Sequence, residues 1–434
     1  MKKISIALIG LGTVGRGVVK VLKKRRLQLT KQLGIDISLD VICEKTALGR
    51  KDCELVKGCT VSKDALAVAR QKNVDILIEL IGGIHPAKKI IIEALKNGKH
   101  VVTANKALLA EQGDEIFLAA QKARRELRFE ASVAGGVPII KALREGFVAN
   151  QIDEIYGILN GTSNYILTSM EDRGYSFSSA LKEAQEKGYA ERNPGLDIDG
   201  VDAAHKISLL ALLAFNKRMP FDTVYREGIR SITLGDILYA RELGAVIKLL
   251  AVAKRQGNKI DVRVHPTLIP IEHPLSSVRG AFNAVFVKGD LVGETLFFGQ
   301  GAGEKPTASA VVSDVVDLAK EIAGGLTEVP KVGLGKKASL RELKNISDIE
   351  TKYYIRFQAI DQPGVLAQIA KILGAHAISI SSVLQQERNK AKSVPVIMIT
   401  HEATEKNIKR ALKQIEKLNV IKGQSVAIRM ERLS

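Results

Sequence analysis

Residues Ile4–Ile9 form a short apolar run that leads directly into Gly10-Leu11-Gly12-Thr13-Val14-Gly15 and then into the helically spaced segment RGVVKVLKKRR. An apolar run, a glycine turn and a helix in that order predict a strand feeding a crossover. Further runs at 36–43 (DISLDVIC), 74–80 (VDILIEL), 99–104 (KHVVTA) and 127–132 (LRFEAS) predict strands, with helical segments between them. Alternation of this kind predicts an α/β fold with a doubly wound parallel sheet of the Rossmann type, whose ligands bind at the carboxyl ends of the strands. Three loops fall there: Gly10–Gly15, Thr103–Lys106 and Glu130–Val137.

From about Ile152 the pattern changes. The strand-like segments EIYGILNG, KIDVRVHPTLIP and AVFVKGDLVGETLFFG mix with helices expected at 178–188 and 201–215, which predicts an α+β domain on an open mixed sheet. Gly299–Gly303 leads into a helix near 306–323 whose apolar stripe suits packing back on the first domain. Residues 324–350 lack periodicity and read as a linker. YYIRFQAID, ISISSVLQQE, SVPVIMITHE and QSVAIRM then read as strands, with helices after Asp361-Gln-Pro-Gly364 and at 404–418. The order βαββαβ predicts a ferredoxin-like sandwich. The domains expected are 1–131 for dinucleotide binding, completed by the 306–323 helix, 132–305 for the α+β domain, and 351–434 for the small sandwich.

A chain of 434 residues with 46% hydrophobic content is long enough for two or three domains. It has no run of about 18 apolar residues, so no membrane span is expected. MKKISIALIG starts like a signal peptide, but its apolar run is short, lacks a small-residue cleavage site and enters the glycine motif, so a cytoplasmic protein is expected. The three cysteines, Cys43, Cys53 and Cys59, match neither a disulfide framework nor a zinc pattern. Of the net charge of +18, residues 331–434 carry +10, from 19 Lys/Arg against 9 Asp/Glu. Acids interleave with these bases and aromatics are only 4%, so a solvated basic face is expected and no nucleic-acid partner.

The glycines imply chemistry. The first permits the tight turn, the second lets a pyrophosphate approach the backbone, and the third allows close helix–strand packing. At the end of the second strand, Glu44 favours the ribose 2′-hydroxyl of NAD, whereas Lys45 or Arg50 favours the 2′-phosphate of NADP, and both cofactors stay open. Glu44 also lies further from the glycines than the usual spacing. The helix VDAAHKISLLALLAF carries Asp202 and Lys206 four residues apart on one face. Charges on so apolar a helix are either a satisfied structural ion pair or a pair with a task. Lys106 follows a strand end at a helix start, where the helix dipole disfavours a cation, which points to function.

These blocks resemble homoserine dehydrogenase in its long form, with a C-terminal ACT domain. The resemblance is carried, in order, by GLGTVG, the run from Ile81-Gly82-Gly83 to Thr103-Ala104-Asn105-Lys106, EASVAGGVP, LNGTSNYIL, AQEKGYAERNPGLDIDGVDAAHK and GAGEKPTASAVVSD, and it covers nearly the whole chain. One departure is His205, where an Arg often precedes the lysine. The resemblance implies NAD- or NADP-dependent interconversion of L-aspartate 4-semialdehyde and L-homoserine, in the biosynthesis of threonine, methionine and isoleucine.

It further implies Lys206 as proton donor, Asp202 as the residue that orients it and Lys106 as a second catalytic ammonium. Glu191 holds the substrate α-ammonium with help from Asp197, while Asn160, Gly161 and Thr162 shape the pocket. Asp199 is left between assisting and capping the next helix. The cofactor would be held by Gly10, Gly12, Thr13, Val14, Gly15, Glu44, Lys45, Arg50, Thr103, Lys106 and Gly303. A sodium or potassium ion would sit on backbone carbonyls of Glu130, Val133, Gly135 and Val137. Asp361, Gly364, Val365 and Leu366 match the ACT ligand turn, with L-threonine as the implied effector, and a homodimer or homotetramer is implied. Two readings compete: a non-catalytic sensor on the same fold, and an oxidoreductase for another aldehyde.

Overall fold

The apolar first strand is buried from Ile4 onward and sits at the centre of a parallel sheet. Its strands are β1 (Lys2–Ile9), β2 (Ile35–Cys43), β3 (Thr60–Ser62), β4 (Ile76–Glu79), β5 (His100–Thr103) and β6 (Leu127–Arg128), in the order β3-β2-β1-β4-β5-β6. Every neighbouring pair is parallel. The order reverses between β1 and β4, and such a reversal opens a crevice at the strand ends. The expected strand at 127–132 shortens to Leu127–Arg128, because Glu130 N–H donates to the Asp314 carboxylate at 2.9 Å and the chain turns into a 3₁₀ segment, Glu130–Ser132.

The computed structural model describes residues 2–325, 335, 337–385 and 393–431. The chain forms two compact units. One comprises 1–159, 204–223 and 282–338; the other comprises 160–203, 224–281 and 339–434. Part of the expected linker at 324–350 and the end of the expected strand ISISSVLQQE lie outside the described residues. Among the described residues no helix is long and apolar enough to cross a membrane.

In the first unit, the helix Glu304–Ala323 packs on the helix Thr13–Leu33, and both feed one apolar core with β1, β2 and β4. Gly17 makes this approach possible: a Cβ there would lie 2.8 Å from Glu304 and 3.0 Å from Ala308. The same unit holds an antiparallel set, Ile152–Ile158 against Phe282–Gly289 against Gly293–Gln300.

In the second unit, Ala245–Gln256 and Lys259–Pro270 form a long antiparallel hairpin. The first of these strands was absent from the sequence reading. Its run AVIKLLAVA is buried throughout and lacks the alternation of a half-buried strand, and periodicity alone does not separate such a run from a buried helix. Lys259–Pro270 also pairs parallel with Val426–Met430, which pairs antiparallel with Glu350–Ile360; Ser393–Thr400 and Ile380–Leu384 complete the sheet. With helices Val365–Ala375 and Glu405–Ile415 on it, residues 350–430 have the βαββαβ order expected.

Charge holds that junction together. Arg429, 2% exposed, donates to Glu405 and Glu227 at 2.8 Å each. Arg263 pairs with Asp261 and Glu431, and Lys254 reaches Glu431 at 2.7 Å. Fully buried Asp236 accepts from Tyr354 at 2.9 Å and from Arg356 at 2.7 Å.

Burial works against the charge on Glu431, but Arg263 and Lys254 outweigh it and hold this carboxyl far below its ordinary value of 4.5. A carboxyl depressed by folding stabilises the native state above its unfolded pKa, and that contribution is lost as pH falls through the folded value. Glu431→Gln should therefore lower stability at pH 7 by about 3–5 kcal/mol, as for a broken buried pair. The deficit relative to the parent should narrow as pH falls below 4.5; denaturant melts across that range check it, and a constant deficit would contradict the assignment.

Candidate active site

The glycine turn leaves room at one place only. Gly10 has φ +97°, and a Cβ on it would strike the Leu80 carbonyl at 2.8 Å. A Cβ on Gly15 would lie 2.1 Å from the Gly10 carbonyl, whereas nothing lies within 4 Å of the corresponding position on Gly12. The backbone is therefore open at Gly12, next to the N-terminus of the Thr13–Leu33 helix, which has no acidic residue in its first turn. A helix N-terminus that is open and free of anions suits a phosphate. Thr13 is exposed and Val14 partly buried at this turn.

Glu44 reaches the turn despite its distance in sequence, because the intervening helix is 21 residues long and β2 returns beside β1. Its carboxylate accepts from Leu11 N–H at 2.8 Å and from Thr46 N–H and Oγ1 at 3.1 and 2.9 Å. Burial opposes the charge, yet these donors hold Glu44 below the ordinary carboxylate range. Gly10, Glu44, Lys45 and His85 line one cavity, joined by Lys63, which the sequence did not single out. Arg50 is exposed at the start of the Arg50–Leu55 helix and does not line it.

A second residue missed by sequence is Glu79 at the end of β4. It is fully buried, takes Thr103 Oγ1 at 2.6 Å and receives Ile81 and Gly82 N–H at 2.9 and 3.1 Å. Thr103 Oγ1 in turn accepts Asn105 N–H at 3.0 Å. Asn105 caps the helix Lys106–Ala123 by accepting from Leu108 N–H, and its Nδ2 donates to the Gly83 carbonyl at 2.6 Å. Lys106, partly buried, is thus the first residue of a helix whose start is fixed from both strands.

The helix Val201–Phe215 is apolar nearly throughout, and Asp202 and Lys206 are each 8% exposed on it. Lys206 Nζ donates to the Leu159 carbonyl at 2.6 Å. Its neighbour His205 places Nε2 2.8 Å from Glu111 Oε1 and stacks on Phe221 with ring centroids 4.4 Å apart. Glu111 belongs to the Lys106–Ala123 helix, so His205 ties the helix of one lysine to that of the other.

In the second unit Asn160 caps the helix Gly161–Arg173 by accepting from Ser163 N–H at 2.8 Å. Its Nδ2 donates to Asp197 at 2.7 Å and to Asp202 at 2.8 Å. Thr162 Oγ1 donates to the Tyr189 carbonyl at 2.6 Å. Glu191 is exposed, with Gln185 Nε2 donating to its backbone carbonyl at 3.1 Å. Asp199 pairs with Arg230. Asn160, Asp197 and Asp202 are thus brought together, while Glu191 stays clear of that cluster's hydrogen bonds.

The Glu130–Val137 turn is buried except at Gly136. Glu130 Oε1 and Oε2 accept from Ile140 and Lys141 N–H at 2.9 and 2.7 Å. Ala134 and Gly135 both have positive φ, and a Cβ on Gly135 would lie 2.5 Å from the Gly301 carbonyl. Gly303, φ +120°, starts the Glu304–Ala323 helix. In the C-terminal module, Gly364 (φ +86°) starts the Val365–Ala375 helix; Val365 is buried and Leu366 exposed. Asp361 Oδ2 is buried without a hydrogen-bond partner.

A sheet of this order, with its glycine turn open at Gly12 and a buried lysine on the Val201–Phe215 helix, is that of a dinucleotide-dependent oxidoreductase. Comparison with known proteins specifies it. Models of the homoserine dehydrogenase NAD-binding domain, of homoserine dehydrogenase and of the ACT domain match residues 10–130, 138–316 and 353–420. The chain is 44% identical over 435 residues to homoserine dehydrogenase of Neisseria gonorrhoeae and 43% identical over 438 residues to that of Pseudomonas aeruginosa, covering 100% of each chain. The crystal structure of a homoserine dehydrogenase from Thiobacillus denitrificans matches with a TM-score of 0.93 at 45% identity, over 100% of this chain and 99% of that one. A hyperthermophilic archaeal homoserine dehydrogenase in complex with NADPH matches 73% of this chain and 97% of its own, at a TM-score of 0.62 and 25% identity. The chain belongs to the homoserine dehydrogenase family.

With a ribose beside this turn, an anion at Glu44 would favour a diol over a 2′-phosphate. Glu44→Ala should lower kcat/KM with NAD and raise it with NADP, moving their ratio by about tenfold or more, the equivalent of roughly 1.4 kcal/mol. Equal losses with both cofactors would reduce Glu44 to a brace for the turn.

Proposed function

We propose that the protein interconverts L-aspartate 4-semialdehyde and L-homoserine with a nicotinamide dinucleotide. The observation that carries this reading is Lys206: an amine 8% exposed on an apolar helix, ending on the Leu159 carbonyl at 2.6 Å. Reduction of an aldehyde develops negative charge on its oxygen, which a nearby cation stabilises before donating a proton. Lys206 does this, and in the reverse direction its neutral amine takes the proton from the homoserine hydroxyl. Asp202, one helical turn away, orients the amine. Lys106 places a second positive charge toward the same oxygen, on a helix start fixed by Glu79 and Asn105. Glu191 binds the substrate α-ammonium with Asp197, and Asn160, Gly161 and Thr162 shape the pocket around the amino acid.

The bound dinucleotide supplies or accepts the hydride. Gly10, Gly12, Thr13, Val14 and Gly15 hold its pyrophosphate, Glu44 and Lys45 face its ribose, and Thr103, Lys106 and Gly303 border its nicotinamide end. The opening at Gly12 supports this assignment. We further place a sodium or potassium ion on carbonyls of Glu130, Val133, Gly135 and Val137, in a buried turn made of backbone groups. We assign the ACT module to feedback inhibition by L-threonine through Asp361, Gly364, Val365 and Leu366; the buried, unpartnered Asp361 oxygen supports an amine-bearing ligand. The reaction supplies the biosynthesis of threonine, methionine and isoleucine, in the cytoplasm, and the protein works as a homodimer or homotetramer.

The direct test follows reduced-nicotinamide absorbance on adding L-homoserine with NAD or NADP, with and without L-threonine, in sodium and in potassium buffers. Turnover with either cofactor is expected, suppressed by threonine. Absence of turnover with both would return the chain to the sensor or other-aldehyde readings. Lys206→Met should lower kcat by about 10³-fold or more, as expected when acid catalysis and charge stabilisation are lost together, while cofactor still binds. Near-normal turnover would remove Lys206 from the mechanism.

A further inference from the structure

The Leu159 carbonyl that receives Lys206 also receives a second donor. Asn283 Nδ2 donates to it at 3.0 Å. Asn283 lies in the strand Phe282–Gly289, in the run FNAVFV, and is 1% exposed. Strand register puts it there: Ala284 pairs with Ile158, so the preceding residue comes opposite Leu159. The amide orientation is unambiguous, because only the nitrogen can donate to a carbonyl.

The other half of this amide is the informative part. Asn283 Oδ1 is buried with no hydrogen-bond partner. Buried polar atoms are nearly always satisfied, and leaving one unpaired costs stability. An apolar residue would remove that cost in a strand whose neighbours are Phe282, Ala284 and Val285. What the asparagine retains is its donation to Leu159. Its amide plane also lies against Gly301: a Cβ on that glycine would fall 2.1–2.3 Å from the Asn283 amide atoms. Gly301 in turn lies against Gly135, and Gly136 N–H donates to the Gln300 carbonyl at 2.9 Å. One amide therefore touches both the acceptor of Lys206 and the turn that leads to Gly303.

We propose that Asn283 is a positioning residue: it fixes the Leu159 carbonyl, and through it the Lys206 amine, against the Gly301–Gly303 turn. This rests on the assignment of Lys206 as proton donor. A carbonyl oxygen has two lone pairs and accepts both donors. With the second donor in place the peptide plane is held, and with it one of the points on which the amine rests. Displacement of a catalytic group by about 1 Å costs rate on the order of 10²-fold.

The test is a double-mutant cycle of Asn283→Ala and Lys206→Met, in the full-length protein, reading kcat, both KM values and the thermal midpoint. Asn283→Ala is expected to lower kcat by about 10²-fold with cofactor KM unchanged, and to raise the primary isotope effect with 4-deuterated reduced cofactor if the chemical step becomes more limiting. In the Lys206→Met background it should cause little further loss, because it acts through that lysine. An equal loss in both backgrounds, or a raised cofactor KM with kcat intact, would make Asn283 merely structural and overturn the proposal. If Asn283→Ala does not fold, Asn283→Ser, which keeps a shorter donor, carries the same cycle with the same two outcomes. Normal turnover of Lys206→Met alone would sink the assignment of Lys206, which is a different failure from an Asn283 effect that is independent of it.

Discussion

A buried ammonium must be solvated by the protein. Lys206 has apolar neighbours along most of its helix, and water reaches little of it. One group that replaces water is a backbone carbonyl, that of Leu159. A carbonyl stabilises the charge by dipole and hydrogen bond. The carbonyl ties the amine to the residue that follows the Ile152–Ile158 strand. The register of Phe282–Gly289 brings Asn283 to the same carbonyl as a second donor.

The dinucleotide side is governed by crowding rather than charge. Gly10 and Gly15 are packed so tightly that a single methyl group would collide with backbone, while Gly12 faces open space. Glu79 does for β4 and β5 what the glycines do for β1. Its carboxylate gathers Thr103, Ile81 and Gly82, and Thr103 passes the constraint to Asn105 and so to the start of the Lys106 helix. His205 and Glu111 then connect that helix to the one bearing Lys206. The two lysines are thus referred to one framework.

Much of this was legible in the sequence where a local rule applies. The strand–glycine–helix start, the parallel sheet, the helix Val201–Phe215 and the βαββαβ module follow from period, turn residues and order. Ala245–Gln256 was not legible, because a run buried on both faces has no alternation to read. The segment LRFEAS was over-extended, because the donor that ends the strand, Glu130 N–H, is captured by Asp314 from far along the chain. Glu79 and Asn283 escaped for a common reason: each is a polar residue in a mostly apolar strand, and only the three-dimensional partner shows whether it braces a loop or holds a carbonyl. His205 stands out in the sequence only as a departure from the family pattern; its contact with Glu111, 94 residues away, is one that sequence spacing does not show.

The most direct measurement is a crystal structure with cofactor and L-homoserine bound. The account predicts Lys206 Nζ within hydrogen-bond reach of the homoserine hydroxyl, about 2.6–3.2 Å, the range expected of a proton donor. A hydroxyl that faces another side chain, with Lys206 out of its reach and still on the Leu159 carbonyl, would contradict it.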